Sequence, residues 1–202
     1  MNLFGGAALE PIVLSDATLR FAPAWLAPDE ADALFAALHA QVPWEVHRIR
    51  LFGREVDSPR LSCWIGDPEA VYTYSRTRFV PQPWPSVLAA LRPRIDAACG
   101  ERFDSVLANL YRDGRDSMGW HSDDEPELGP TPVIASLSLG AMRRFRLRHR
   151  VEAARTLELD LPHGSLLVMA GGTQKHYRHA LPRSTRIMAP RINLTFRRVG
   201  AR

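Results

Sequence analysis

Cysteine occurs only twice, at Cys63 and Cys99, too few and too far apart for a disulfide framework or a cysteine-bound zinc, and this usage suits a reducing compartment. There is no run of 18 apolar residues, and the first residues lack a basic segment followed by a long apolar stretch. Neither a membrane span nor a secretory leader is therefore expected, and the chain reads as soluble and cytoplasmic with no membrane partner. Lysine is almost missing: of 26 basic residues Lys175 is the sole lysine and the other 25 are arginine. Arginine forks suit bidentate phosphate contacts, although an Ala- and Arg-rich composition explains them equally well. The net charge of +4 and the pI near 9.6 permit a polyanionic partner without specifying a fold.

What is present is a chain of 202 residues, enough for one domain with a sizeable core. Residues 1–15 read as a mobile arm leading to a short strand at 18–21. Pro28 stands at a first helical position, and Ala31, Leu34, Phe35 and Leu38 follow at helical spacing, predicting a helix over 28–40. A second helix, Pro85 to Cys99, carries Val87, Leu88, Leu91 and Ile95 on one stripe with Gly100 as its cap. Pro93 removes a backbone donor, so a kink or break is expected near residue 92.

Between residues 44 and 80 short strand signals alternate with turns and read as a loop-rich lid. Phe52, Trp64, Tyr72 and Tyr74 lie there among Arg48, Arg50, Arg54, Arg60, Arg76 and Arg78, a mixture suited to stacking bases and holding phosphates. For Trp64 and Tyr72, packing into the core is the favoured reading. After Gly100 the pattern is almost all strand, at 105–112, 132–139, 143–150, 156–161, 164–170 and 191–199. Many short strands with two helices indicate a mostly β fold with flanking helices, α+β in class, built as an antiparallel sandwich or barrel. Charge alternation predicts a hairpin turning about residue 153, with Arg148 opposite Glu158, Arg146 opposite Asp160 and Leu147 opposite Leu159. Arg144 and Arg150 are left to phosphate or solvent.

Two stretches carry chemistry. In Trp120-His121-Ser122-Asp123, residues i and i+2 of an extended segment point the same way, so His121 and Asp123 can offer one imidazole and one carboxylate to a metal ion. A distant histidine would complete a two-His, one-carboxylate set of the kind that leaves positions open for O₂ chemistry. A solvated turn or an ion pair is the other reading of such a pair. In Arg191-Ile192-Asn193-Leu194-Thr195-Phe196-Arg197 the odd positions share a polar face and the even ones an apolar face. An ordinary half-exposed strand fits this, and so does a strand whose two guanidiniums face an enclosed site and hold a small dicarboxylate.

Together, His121-x-Asp123, His179 and Arg-x-Asn-x-Thr-Phe-Arg at 191–197 resemble the AlkB family of Fe(II)/2-oxoglutarate dioxygenases, which remove alkyl groups from nucleobases, over about Trp44 to Val199. Asn109-Leu110-Tyr111, Ala189-Pro190-Arg191, and Leu51-Phe52-Gly53 with Pro59-Arg60 resemble the branch that acts on duplex DNA. The resemblance implies a double-stranded β-helix (jelly-roll) core at about 81–200, with the second helix, a nucleotide-recognition lid at about 44–80, and an arm, strand and bracing helix at about 1–43. It implies His121, Asp123 and His179 as ligands of Fe(II), with His176 as an outer partner. Asn109, Tyr111, Arg191, Asn193, Thr195 and Arg197 would hold the cosubstrate 2-oxoglutarate, with O₂ as second cosubstrate.

A strand of that length spans roughly 20 Å, so both arginines must lean inward along a curved strand to reach one cosubstrate. A flipped base would be sandwiched by Tyr74 and the ring of His121, with Asp124 or Glu125 facing the positive charge of N1-methyladenine or N3-methylcytosine. Phe52 would wedge into the gap left in a duplex, Arg60 would steady the opposite strand, and Tyr72 would join the substrate contacts. The implied reaction releases formaldehyde, succinate and CO₂ from alkylated DNA, single-stranded and duplex, and is expected of a monomer. The same chemistry on RNA or protein, or a non-catalytic jelly-roll that binds nucleic acid, are the alternatives.

Overall fold

The computed structural model describes residues 7–51, 54–74, 77–186 and 188–200, with 48–51, 54, 55, 72–74 and 77–79 described by backbone alone. In chain order the first elements are β1 (Glu10–Ile12), β2 (Thr18–Ala22), α1 (Pro28–Gln41), β3 (Arg48–Leu51), β4 (Arg54–Asp57), β5 (Leu61–Gly66), β6 (Tyr72–Tyr74), β7 (Thr77–Phe79) and α2 (Ser86–Cys99). There follow β8 (Ser105–Tyr111), β9 (Met118–His121), β10 (Ile134–Gly140), β11 (Arg143–His149), β12 (Thr156–Leu161), β13 (Ser165–Ala170), α3 (Thr173–His176), β14 (Tyr177–Leu181) and β15 (Arg191–Arg197). No helix among the described residues is long and apolar enough to cross a membrane.

Two antiparallel sheets form the body: a seven-stranded one in the order β1-β2-β13-β10-β15-β8-β5, and a four-stranded one in the order β12-β11-β14-β9. Their facing sides share an apolar core, to which Leu19, Ile134, Leu167 and Met169 come from the larger sheet and Phe145, Leu147, Leu161 and Tyr177 from the smaller. This is the expected jelly-roll sandwich. On the outer face of the larger sheet Leu34 and Leu38 of α1 and Leu88, Leu91 and Ile95 of α2 pack against Leu137, Leu139, Ile192, Leu194 and Phe196. The central strands are thus covered on both sides, and β15 is buried at every position. Its even residues feed the helix-side core, which obliges Arg191, Asn193, Thr195 and Arg197 to face the space between the sheets.

Several expectations need correction. Residues 10–12 are not part of an arm but an edge strand paired with β2. The lid segment is not all lid, because β5 pairs with β8 in the larger sheet, and Trp64 is core as expected. Helix α2 runs unbroken through Pro93. One missing hydrogen bond is outweighed by the packing of Leu88, Leu91 and Ile95 on the sheet, since most helical stability in a protein comes from such a buried face. Gly100 caps the helix as predicted, in the left-handed conformation at φ 70°. The β11–β12 hairpin is shifted by two residues, pairing Arg146 with Glu158, Leu147 with Leu157 and Arg144 with Asp160. A slip of two keeps every side chain on its face, so alternation alone does not choose between the registers. The observed one gives Arg144 both Asp160 at 3.0 Å and Glu158 at 3.3 Å, while Arg146 reaches Glu158 at 2.8 Å.

Gly140, at φ 83°, ends β10 where β15 begins. A Cβ there would lie 2.5 Å from the Pro190 carbonyl oxygen, so only glycine lets the backbone that delivers Arg191 come this close.

Candidate metal centre

Strand β14 sets His179 directly across from His121, with an irregularity in the pairing between this point and Leu181–Met118. The two rings lie 4.2 Å apart, centroid to centroid, at 65°. Asp123, two residues beyond the end of β9, folds into the same space and is 2 % exposed. Its Oδ2 lies 3.9 Å from Nε2 of His179, and one ligand atom from each of the three residues lies within 4.8 Å of the others. Nδ1 of His121 donates to the Gly119 carbonyl at 2.8 Å, which leaves Nε2 as the coordinating nitrogen.

The electrostatics suit a divalent cation. Burial, with His121 and Arg197 nearby, drives His179 down to about 3 despite the opposing pull of Asp123, so its lone pair is available at neutral pH. Burial lowers His121 as well. Burial alone would raise Asp123, but the Arg197 guanidinium beside it holds it below the usual carboxylate value and keeps it ionised. Two neutral nitrogens and one carboxylate oxygen, confined in a small space with sides left open, are a donor set that fits Fe(II).

The same cavity is lined by Asn109, Tyr111, Arg191, Asn193, Thr195 and Arg197, so both arginines of β15 do lean into one space. Arg197 donates from Nη2 to Oδ1 of Asp123 at 2.6 Å, an ion pair with the candidate ligand that leaves Oδ2 toward His179. At the other end Arg191, 2 % exposed, donates from Nη2 to Ser138 Oγ at 2.8 Å and lies 5.2 Å from the Tyr111 ring centroid. Its Nε and Nη1 meet no acceptor among the described residues, and burial pushes the guanidinium down to about 10, still charged at neutral pH. Between the arginines Asn193 donates to Ser136 Oγ at 2.8 Å and Thr195 donates to Asn193 at 3.2 Å.

Other predicted residues fall differently. Arg60 does not reach outward to a second strand: it is buried, donates from Nε to Asn109 Oδ1 at 2.7 Å and from Nη1 to Ser58 Oγ at 3.1 Å, and lines the cavity. A guanidinium with two buried acceptors is satisfied where it is. Asp124 is bound by Arg150, so its charge is already answered, and neither Asp124 nor Glu125 lines the cavity. His176 stacks on His149 at 5.9 Å. Phe52 lies outside the described residues, as do the side chains of Tyr72 and Tyr74.

Sequence reasoning missed Arg143, whose guanidinium donates to the carbonyls of Asp113, Asp116 and Pro182 at 3.1, 2.9 and 2.7 Å and lies 5.8 Å from the Tyr111 centroid. A signal was there, since Arg143 shares the inward phase of β11 with Phe145 and Leu147. Arg143→Ala strands three carbonyls and is expected to cost about 3 kcal/mol in urea unfolding, given about 1–3 kcal/mol for each buried polar group left unsatisfied. Arg144→Ala, on the solvated face of the same strand, should leave the unfolding midpoint nearly unchanged. Equal losses for the two would contradict the assignment.

A family model described as the 2OG-Fe(II) oxygenase superfamily matches residues 18–197. The chain is 41% identical over 186 residues to alpha-ketoglutarate-dependent dioxygenase alkB homolog 3 of Bos taurus, covering 88% of this chain and 64% of that protein. It is 41% identical over 180 residues to DNA oxidative demethylase ALKBH2 of Mus musculus, with 84% and 75% covered, and 36% identical over 191 residues to ALKBH2 of Arabidopsis thaliana, with 82% and 61% covered. The chain thus spans a little under two thirds of the length of the alkB homolog 3 proteins it matches. The solved structure of OsALKBH1 has a TM-score of 0.61 at 17% identity, over 94% of this chain and 99% of that one, a likeness of fold.

Proposed function

The chain belongs to the 2OG-Fe(II) oxygenase superfamily and, within it, to the AlkB family, and from that membership we propose an Fe(II)- and 2-oxoglutarate-dependent dioxygenase that removes alkyl groups from bases in DNA. The observation that carries the reading is the pairing, in one cavity, of the His121-Asp123-His179 set with a buried Arg191 that has no carboxylate of its own. A buried cation of this kind is stable only when an anion meets it. A dicarboxylate lying between Arg191 and the metal ligands supplies that anion.

His121 through Nε2, Asp123 through Oδ2 and His179 would hold the iron. Iron with 2-oxoglutarate and O₂ supplies the oxidising chemistry, in which decarboxylation of the cosubstrate to succinate accompanies hydroxylation of an N-linked methyl group. Arg191 orients the distal carboxylate through its fork, and Tyr111 supports the guanidinium from its face. Arg197 keeps Asp123 ionised and turned. The hydroxylated methyl group leaves as formaldehyde, restoring the base. Since a base inside a duplex cannot reach a buried centre, the target nucleotide must be extruded.

The proposed lesions are N1-methyladenine and N3-methylcytosine, in duplex as well as single-stranded DNA, with Phe52 and Tyr74 of the 44–80 segment as the residues that engage the strand. The test is formaldehyde release from one N3-methylcytosine oligonucleotide presented single-stranded, in duplex and as RNA. Phe52→Ala is expected to depress duplex repair far more than single-strand repair. Arg60→Ala, which unseats Asn109 inside the cavity, is expected to lower both alike and to reduce thermal stability. Equal losses for Phe52→Ala on both substrates would remove the duplex reading.

A further inference from the structure

Beyond His121 the chain leaves β9, and residues 122–124 have no ladder to satisfy their backbone. The amide of Asp123 is buried there, and it donates a hydrogen bond to Gln174 Oε1 at 3.0 Å. Gln174 is itself 1 % exposed, and among the described residues its Nε2 finds the sulfur of Met169, at 3.7 Å, a weak acceptor. Burying an amide with so poor a partner is unfavourable, and an apolar side chain would fill the same space without that penalty. What accounts for a glutamine here is the acceptor oxygen it presents to Asp123.

The support of Gln174 is equally specific. Thr173 ties the single turn α3 to the sheet, donating to Ala170 O at 2.6 Å and accepting from the Thr18 amide at 3.0 Å. Ser122 donates to the Tyr177 carbonyl at 2.8 Å. Arg150 spans the two segments, donating to Ser122 Oγ at 2.8 Å, to the Gln174 carbonyl at 3.4 Å and to the Asp124 carboxylate. Three consecutive residues, Ser122, Asp123 and Asp124, are thereby clasped to α3, β14 and the end of β11. With Arg197 on Oδ1, Asp123 is held at its backbone by Gln174 and at its carboxylate by Arg197, and Oδ2 is the atom left to face His179.

We propose that Gln174 is a positioning residue of the metal centre, setting metal affinity by holding the backbone of Asp123. The inference rests on the reading of His121, Asp123 and His179 as metal ligands. Its test is Mn(II) binding to the whole protein by calorimetry. Gln174→Met removes the acceptor at nearly constant volume and should weaken Mn(II) binding about 10- to 100-fold, the usual effect of losing an outer partner of a ligand. Gln174→Glu keeps an acceptor oxygen at the same reach and should restore most of the affinity. A purely structural role would instead lower the unfolding midpoint of both variants and leave affinity in the folded protein unchanged. Should Gln174→Met not fold, Gln174→Asn, one methylene too short to reach the amide, takes its place with the same expected weakening. Wild-type affinity in Gln174→Met, or a Gln174→Glu as weak as Gln174→Met, overturns the proposal. Mn(II) binding that survives His179→Ala overturns the metal-centre reading itself, whereas binding lost in His179→Ala but unchanged in Gln174→Met overturns the proposal alone and leaves that reading standing.

Discussion

Asp123→Ala is expected to abolish turnover, to release the metal and to destabilise the metal-free protein, and the third effect separates it from the other ligand substitutions. Asp123 and Arg197 form a pair at 2.6 Å, with side chains 4 % and 6 % exposed. Removing one member of such a pair costs about 3–5 kcal/mol, because the other charge keeps its burial and loses its main compensation. His121→Ala and His179→Ala should lose metal and turnover as completely. Both rings are held neutral by burial, so the metal-free protein should fall less in urea unfolding. His176→Ala, whose ring stacks on His149, should keep the metal. The pH dependence has a definite sign. Asp123 is held below its ordinary value, so its contribution is complete at neutral pH and is lost as pH falls through that depressed value. The stability gap between wild type and Asp123→Ala should therefore narrow in acid. A gap that widens, or metal-free stability equal to that of His179→Ala, would remove the ion pair from the account.

Arg191→Met is expected to raise the 2-oxoglutarate requirement at least about 100-fold, because two hydrogen bonds to a charged group contribute about 1.5–3 kcal/mol each. DNA affinity should barely change. Arg191→Lys should not rescue, since an ammonium cannot reproduce a planar two-pronged contact. The metal-free protein should be as stable as wild type or more so, because Arg191 lacks a carboxylate partner and its replacement relieves a buried charge. Arg191 and Arg197 lie six residues apart on one strand face, yet the stability effects at the two ends of the cavity should have opposite signs. Unchanged cosubstrate dependence in Arg191→Met would take Arg191 out of the site.

The site was legible where strand alternation and chemistry coincide. On β15 apolar even positions force the odd ones toward the opposite side, and finding two arginines, an asparagine and a threonine there is informative because burial of such groups needs a reason. The same logic applied to β11 would have revealed Arg143, which was hidden among four neighbouring arginines that point outward or pair with β12. Arg60 was given its outward role by the resemblance, and only the tertiary fold brings Ser58 and Asn109 to its donors. β5 escaped notice because a strand buried on both faces does not alternate. Gln174 left no trace, as its partner lies 51 residues away and the bond is to a backbone amide.

The central claim, that this site couples cosubstrate oxidation to dealkylation of DNA, is tested most directly by product stoichiometry on a single-stranded oligonucleotide bearing one N3-methylcytosine. With Fe(II), 2-oxoglutarate and O₂, the account predicts succinate, formaldehyde and restored cytosine in equal amounts, all lost in His179→Ala. Succinate formed at the same rate with unmethylated oligonucleotide, and with no cytosine restored, would contradict it.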